Sequence, residues 1–426
     1  MKRLVIPLSD PEAVDASRFG PKAANQAALG QAGLPIPDGY CVDAEAYRMQ
    51  IAALGLTETA ELAATLDPPE ARHHVSAVRL GLYGEPIIDE IREPLLAARR
   101  ALVEASDVPI VVRSSALMED RAGSSFAGQF ETFLELEDET EFLTAVSACW
   151  AALWASRARK YMDGYNLTPA DTAMGLVIQR LVQARCSGGG LSQTADGDML
   201  VSATWGLGTS IAQGEVVPDR YELTREVLLR ETTAGRKEHS VFCAHHHAAP
   251  IKIHHDHMAE ACLDEAQVIE LGHMLVKAED VVGGAAEIEW AMDDAGFKML
   301  QARPLHMEPA TVPDEIWLRH PGLRGHPAGI GWGTGRACVI TCECELARVA
   351  PGDVLVTKVA GPALAQVLPR VAGVVAELGG STSHLASLAR ERGIPMVLGV
   401  LDAVQHIPDG CQVAVDGVAG MVRWID

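Results

Sequence analysis

The sequence predicts a multidomain α/β and α+β protein, and three observations carry that expectation. A chain of 426 residues with 48% hydrophobic and 22% charged residues has apolar material for two or three cored domains. Apolar runs that read as buried strands, at 108–112, 174–182, 371–375 and 396–400, are interspersed with Ala- and Leu-rich helical stretches. Residues 371–400, VAGVVAELGGSTSHLASLARERGIPMVLGV, then read as strand, glycine turn, helix, strand. Gly379 and Gly380 make the turn, Ser381, Thr382 and Ser383 are candidate N-caps, and Gly393 with Pro395 stops the helix. His384 sits where the turn opens into the helix. Free backbone N–H groups favour an anion there, and a neutral imidazole, with an ordinary pKa near ~6.5, can attack phosphorus. From spacing alone, a capping histidine on a plain βαβ unit is an equal alternative. Arg390 lies six residues on, about 600° around the helix, so it is set off the His384 face and reads as structural.

The formal charge of −22, from 57 acidic and 35 basic residues, argues against nucleic acid or an anionic membrane as partner. The N-terminal apolar run is too short for a signal peptide and no stretch has membrane-spanning length, so a cytoplasmic protein is expected. Nine cysteines lack zinc spacing; the one close pair, Cys342 and Cys344, is CEC, and reduced thiols are expected.

In chain order, Pro21 suits the first turn of a helix over 21–31, where Lys22 places a cation at the positive dipole end. That placement fits a phosphate site; a solvated surface lysine is the alternative. Residues 108–112 deliver Arg113 to a strand end, followed by a Gly/Ser loop able to wrap phosphates, although Arg113 could equally serve a surface ion pair. Residues 150–161 read as one basic helix with Trp150 and Trp154 facing inward. Three glycines at 188–190 suggest a close turn. His245, His246, His247, His254, His255 and His257 invite a metal, but consecutive histidines in a strand alternate faces, so a surface loop and hairpin is preferred. Residues 285–304, AAEIEWAMDDAGFKMLQARP, read as a hairpin turning at 293–296, with Glu287 and Glu289 on one face and Gln301 and Arg303 opposite. Two carboxylates, an amide and an arginine suit Mg²⁺ and phosphate, with cross-strand charge pairing as the alternative.

Several of these blocks resemble one family. GGSTSHLASLARERGIPMVLGV is similar to the phosphohistidine segment of the mobile domain of phosphoenolpyruvate synthase, pyruvate phosphate dikinase and rifampin phosphotransferase. SRFGPKAANQAALGQAGLPIPDGY, VRSSALMEDRAGSSFAGQFETFL, SATWGLGTSIAQGEVVPDRY and AEIEWAMDDAGFKMLQARP resemble its ATP-binding blocks. Departures are Gly20-Pro21 for two glycines, Thr209 for a glutamate and Leu385 for a small residue.

The resemblance implies a two-lobed ATP-grasp domain, lobes 1–185 and 186–306, a linker 307–332, and a swivelling β/β/α phosphohistidine domain over 333–426. It implies ATP and Mg²⁺, with His384 phosphorylated and AMP and phosphate released. Lys22, Arg113 and Arg303 would contact the nucleotide's phosphates, residues Gln179, Arg180, Leu181 and Val182 would read the base, and Glu289 and Gln301 would hold Mg²⁺. Neither the antibiotic-binding domain of rifampin phosphotransferase nor the barrel of phosphoenolpyruvate synthase is recognised in the sequence. The acceptor is therefore expected as a small molecule between the domains or on a separate subunit; a non-catalytic nucleotide-binding regulator is the non-enzymatic alternative.

Overall fold

The computed structural model describes residues 3–66, 68–105, 108–119, 130, 132–163, 166–194, 196–242, 249–252, 259–305, 320 and 322–425. The Gly/Ser loop after Arg113 and the six clustered histidines fall outside them. The chain divides into two compact units, the first holding Met1–Gln183 and Lys298–Arg303 and the second Ala184–Phe242, Ala249–Phe297 and Pro304–Asp426.

In the first unit, β1 (Val5–Pro7), β2 (Gly39–Val42), β3 (Ile110–Ala116), β4 (Thr132–Leu136) and β5 (Met174–Arg180) form an antiparallel sheet in the order β1-β2-β5-β3-β4. The helix Pro21–Gln31 packs Ala23 and Ala27 against Ile6, Phe19, Cys41 and Val177. Its N-cap, Gly20, has φ +81° and a Cβ there would lie 2.3 Å from the Ser115 carbonyl oxygen, so glycine is required. Pro21 takes the first helical position, where no N–H is missed. The expected single helix over 150–161 is two, Glu139–Ala152 and Ser156–Asp163. Between them the N–H groups of Leu153, Trp154 and Ala155 bond three residues back, a tightened turn that breaks the α pattern. Trp150 and Trp154 are both fully buried, and Trp154 Nε1 donates to Tyr47 Oη at 2.8 Å.

The second unit holds β6 (Cys186–Leu191), β7 (Met199–Trp205), β8 (Asp219–Leu223), β9 (Leu229–Thr233), the pair β10 (His239–Phe242) and β11 (Ala249–Lys252), and β12 (Ala286–Asp293). Strands β12-β6-β7-β8-β9 lie side by side, all antiparallel, and β13 (Gly296–Pro304) follows β12 through the turn at Asp293 and Gly296. The glycine run 188–190, expected as a turn, is the middle of strand β6. Alternate glycines serve opposite faces: a Cβ on Gly190 would meet Ile288 and Leu275, one on Gly189 would meet Thr382.

The C-terminal sheet comprises β14 (Gly322–Arg324), β15 (His326–Pro327), β16 (Trp332–Ile340), β17 (Val354–Thr357), β18 (Gly373–Ala376), β19 (Met396–Leu398), β20 (Gln412–Asp416) and β21 (Met421–Ile425). Their order is β14-β21-β20-β16-β17-β18-β19-β15. Strands β16, β17, β18 and β19 run parallel, the last three buried throughout, with Val354, Val356, Val375, Val397, Val413 and Val415 in one core. Residues 322–327, which the sequence reading assigns to the linker, are strands of this sheet, because their backbone finds β21 and β19 as partners. Cys342 and Cys344, expected as reduced thiols, are joined in a disulfide, their two-residue separation bringing the Cα atoms to 5.2 Å.

Candidate active site

His384 is the first residue of the helix His384–Glu391, half-buried. The Ser383 hydroxyl caps that helix, accepting from Ala386 N at 3.2 Å. Gly379 has φ +102°, and its N–H donates to the Val216 carbonyl at 3.0 Å. A Cβ on Gly380 would lie 2.5 Å from Pro218 Cγ, so the loop approaches the 216–218 segment as only glycine can. The Ser381 hydroxyl donates to the Pro327 carbonyl.

The same helix is tied to β12. Arg390 Nη2 donates to Glu287 Oε2 at 2.9 Å, and the Ser387 hydroxyl donates to Glu287 Oε1 at 2.9 Å. Both charged side chains are buried, 4% and 7% exposed. Arg390 Nη1 also donates to the carbonyls of Ser381 and Ala328, so one guanidinium braces the glycine loop before His384, the segment after β15 and the β12 carboxylate together. Burial this deep is tolerated because the charge is paired and its donors are used.

In the first unit, Lys22 is buried and its Nζ donates to Glu119 Oε1 at 2.5 Å, while Glu119 Oε2 accepts from Ala116 N. Glu119 is thus the anion beside the helix start that the Lys22 position demanded. The Ser115 hydroxyl accepts from Ala23 N at 3.0 Å, joining the RSSA strand to the same helix start. Arg113 donates to the Leu300 carbonyl at 2.6 Å and to Gln301 Oε1 at 3.0 Å. Those two candidates are therefore in direct contact. Arg303 is buried. The N–H groups of Arg180 and Leu181 donate to the Asp38 and Pro109 carbonyls, and Gln179 is buried with its amide on the Pro37 carbonyl.

Glu289 is half-buried on β12 in the second unit, whereas Gln301 belongs to the first. Among the described residues no group of three or more His, Cys, Asp or Glu is placed to hold a metal.

Sequence reasoning missed Glu119, Ser387 and the partnership of Glu287 with Arg390. Glu119 stands in the SSALMED block and carried a signal, a carboxylate close behind the arginine strand. Glu287 was grouped with Glu289 by strand alternation, which sets both on one face but says nothing of which helix covers it. Among the described residues, no helix is long and apolar enough to cross a membrane.

Comparison with known proteins completes the picture. The chain is 31% identical over 460 aligned residues to a phosphoenolpyruvate synthase of Aeropyrum pernix, covering 95% of this chain and 56% of that protein. It is 29% identical to the phosphoenolpyruvate synthase of Pyrococcus furiosus, covering 96% and 57%. A probable phosphoenolpyruvate synthase of Archaeoglobus fulgidus is 31% identical, with 98% and 58% covered. The chain thus spans a little over half the length of these relatives. Residues 349–420 match the mobile domain of PEP-utilising enzymes, a range that contains His384 and Arg390. Residues 16–317, more than half of the chain, match the AMP/ATP-binding domain of pyruvate phosphate dikinase, and the chain belongs to that family.

Proposed function

We propose that this chain is an ATP-dependent dikinase-type phosphotransferase in which ATP phosphorylates His384. The observation that carries the reading is the occurrence, in one chain, of the AMP/ATP-binding domain and the PEP-utilising mobile domain, with His384 opening a capped helix behind a glycine turn. A two-lobed ATP-grasp arrangement of residues 1–306 and a swivelling domain that carries His384 between two stations belong to this reading. A ring nitrogen of His384 attacks the β-phosphorus of ATP, the bond from that phosphorus to the α-phosphate oxygen breaks, and AMP leaves. The γ-phosphoryl passes to water as phosphate, and phosphohistidine remains for transfer to an acceptor.

The chain's own groups mostly position and neutralise. Arg113 and Arg303 bind phosphate oxygens, and Lys22 joins them by exchanging Glu119 for the nucleotide. Glu289 and Gln301 would hold Mg²⁺, which when bound supplies charge neutralisation between phosphates. The phosphoryl acceptor is a small molecule, bound between domains or on a partner subunit, and the compartment is cytoplasmic. Its test is the intact mass after incubation with ATP and Mg²⁺: an acid-labile gain of one phosphoryl, absent from His384→Ala, supports the reading. An acid-stable mark elsewhere, or none, overturns it.

A further inference from the structure

One face of the sheet β12-β6-β7-β8 carries a cross-strand row that passes beneath the phosphohistidine loop. Glu289 pairs with Gly189, Gly189 with Ser202, and Ser202 with Arg220, so these four residues point to the same side across four strands. Thr382, two residues before His384, rests on the middle of that row. A Cβ on Gly189 would lie 2.6 Å from Thr382 Cβ and 2.9 Å from its hydroxyl oxygen. Ser202 is one strand spacing away from Gly189, about 5 Å, and Thr204 follows on the same face of β7.

The side chains of Ser202 and Thr204 are fully buried, and neither hydroxyl has a hydrogen-bond partner among the described residues. The Thr382 hydroxyl beside them is likewise buried and unpartnered, as is Arg220 Nε. Ser187, on the same face and opposite Thr204, shows that this is no general property of the sheet, for its hydroxyl donates to the Gly206 carbonyl at 2.6 Å. Orphan buried hydroxyls are costly and so call for a partner that the described residues do not supply. Three of them, two on the sheet face and one in the loop that rests on it beside His384, suit an oxyanion with several acceptor oxygens.

We propose that Ser202, Thr204 and Thr382 form a hydroxyl subsite that donates to the oxygens of the phosphoryl group received by His384. Resting on the phosphohistidine reading above, this names the part of the site that holds the transferred group. Gly189 is then the residue that admits the loop, and Arg220, ion-paired with Glu222, closes the end of the row.

The test compares Ser202→Ala, Thr204→Val, the double variant and the hydroxyl-preserving Thr204→Ser by the rate of acid-labile phosphorylation at saturating ATP and Mg²⁺, together with the thermal midpoint. The subsite predicts a rate at least about tenfold lower in the double variant, near-normal phosphorylation in Thr204→Ser, and a thermal midpoint unchanged or raised, because no internal hydrogen bond is lost. A structural role would instead lower the midpoint. Wild-type rates in the double variant overturn the subsite while leaving His384 phosphorylation standing. A wild-type chain that takes no phosphoryl on His384 overturns the parent reading, and the subsite with it. Should the double variant not fold, the single variants decide by the same criteria.

Discussion

Arg390→Met removes the guanidinium that neutralises Glu287 while keeping a long apolar side chain in its place. Both charges are buried, at 2.9 Å, and losing one member of such a pair costs about 3–5 kcal/mol. Protonation caps the charge contribution: taking a proton at pH 7 against an ordinary glutamate pKa near ~4.3 costs (7 − 4.3) × 1.36, about 3.7 kcal/mol. The carbonyls of Ser381 and Ala328 lose a donor as well, at roughly 1–3 kcal/mol each if water does not replace it. A loss of about 4 kcal/mol, at roughly 2–4 °C per kcal/mol for a unit of this size, lowers the thermal midpoint by about 8–16 °C. Glu287→Gln combined with Arg390→Met removes both charges and should recover most of that loss, since apolar replacement of a buried pair is often near neutral. The assay is a double-mutant cycle by thermal and urea unfolding at pH 7, repeated at pH 5, where Arg390→Met should regain part of its stability as Glu287 takes a proton. Equal midpoints for the single and double variants at both pH values would refute the argument that this pair carries coupling energy.

Other expectations follow from the same geometry. Gly189→Ala puts a Cβ 2.6 Å from Thr382, so His384 phosphorylation should fall at least about tenfold; an unimpaired variant would show that the loop need not rest there. His326 is fully buried, and burial first, then the Arg220 charge, pushes its pKa down to about 4. Because this folded-state value lies below the unfolded one near ~6.5, its contribution is present above pH 6.5 and lost as pH falls toward 4. Relative to His326→Gln, the wild type should lose about 3 kcal/mol over that window, (6.5 − 4) × 1.36, and parallel stability curves would disprove it. Lys237 and Asp219 form a fully buried pair, with Asp219 also accepting from the N–H groups of Gly235 and Cys262. Lys237→Met should therefore cost about 3–5 kcal/mol in urea unfolding, and a loss below 1 kcal/mol would contradict the pairing.

What could be read in the sequence was whatever local chemistry determines. The glycine turn, the serine cap and the stop at Gly393 mark the His384 helix from local sequence, whereas the start of the helix after Gly20 is completed by the distant Ser115 and Glu119. The glycine run at 188–190 misled because glycine signals either a turn or a close approach; only the distant Thr382 shows which applies here. Arg390 was set off the face of His384 by helical rotation, yet rotation cannot reveal that β12 supplies a carboxylate. The orphan hydroxyls of Ser202 and Thr204 were invisible for a related reason: alternation puts them on one face, and burial of that face depends on residues nearly two hundred positions later.

The C-terminal sheet has its two outer strands supplied by one short segment. β14 lies against β21 at one border and β15 against β19 at the other, with only Gly325 between them in sequence. Unpaired sheet borders invite pairing with other chains, and here a six-residue strap screens both at once. A fragment begun at residue 333 would uncover Met396–Leu398 and Met421–Ile425 together, giving the sheet two adhesive flanks. Fragments begun at residue 320 keep the strap and should remain dispersed at concentrations where the shorter ones associate.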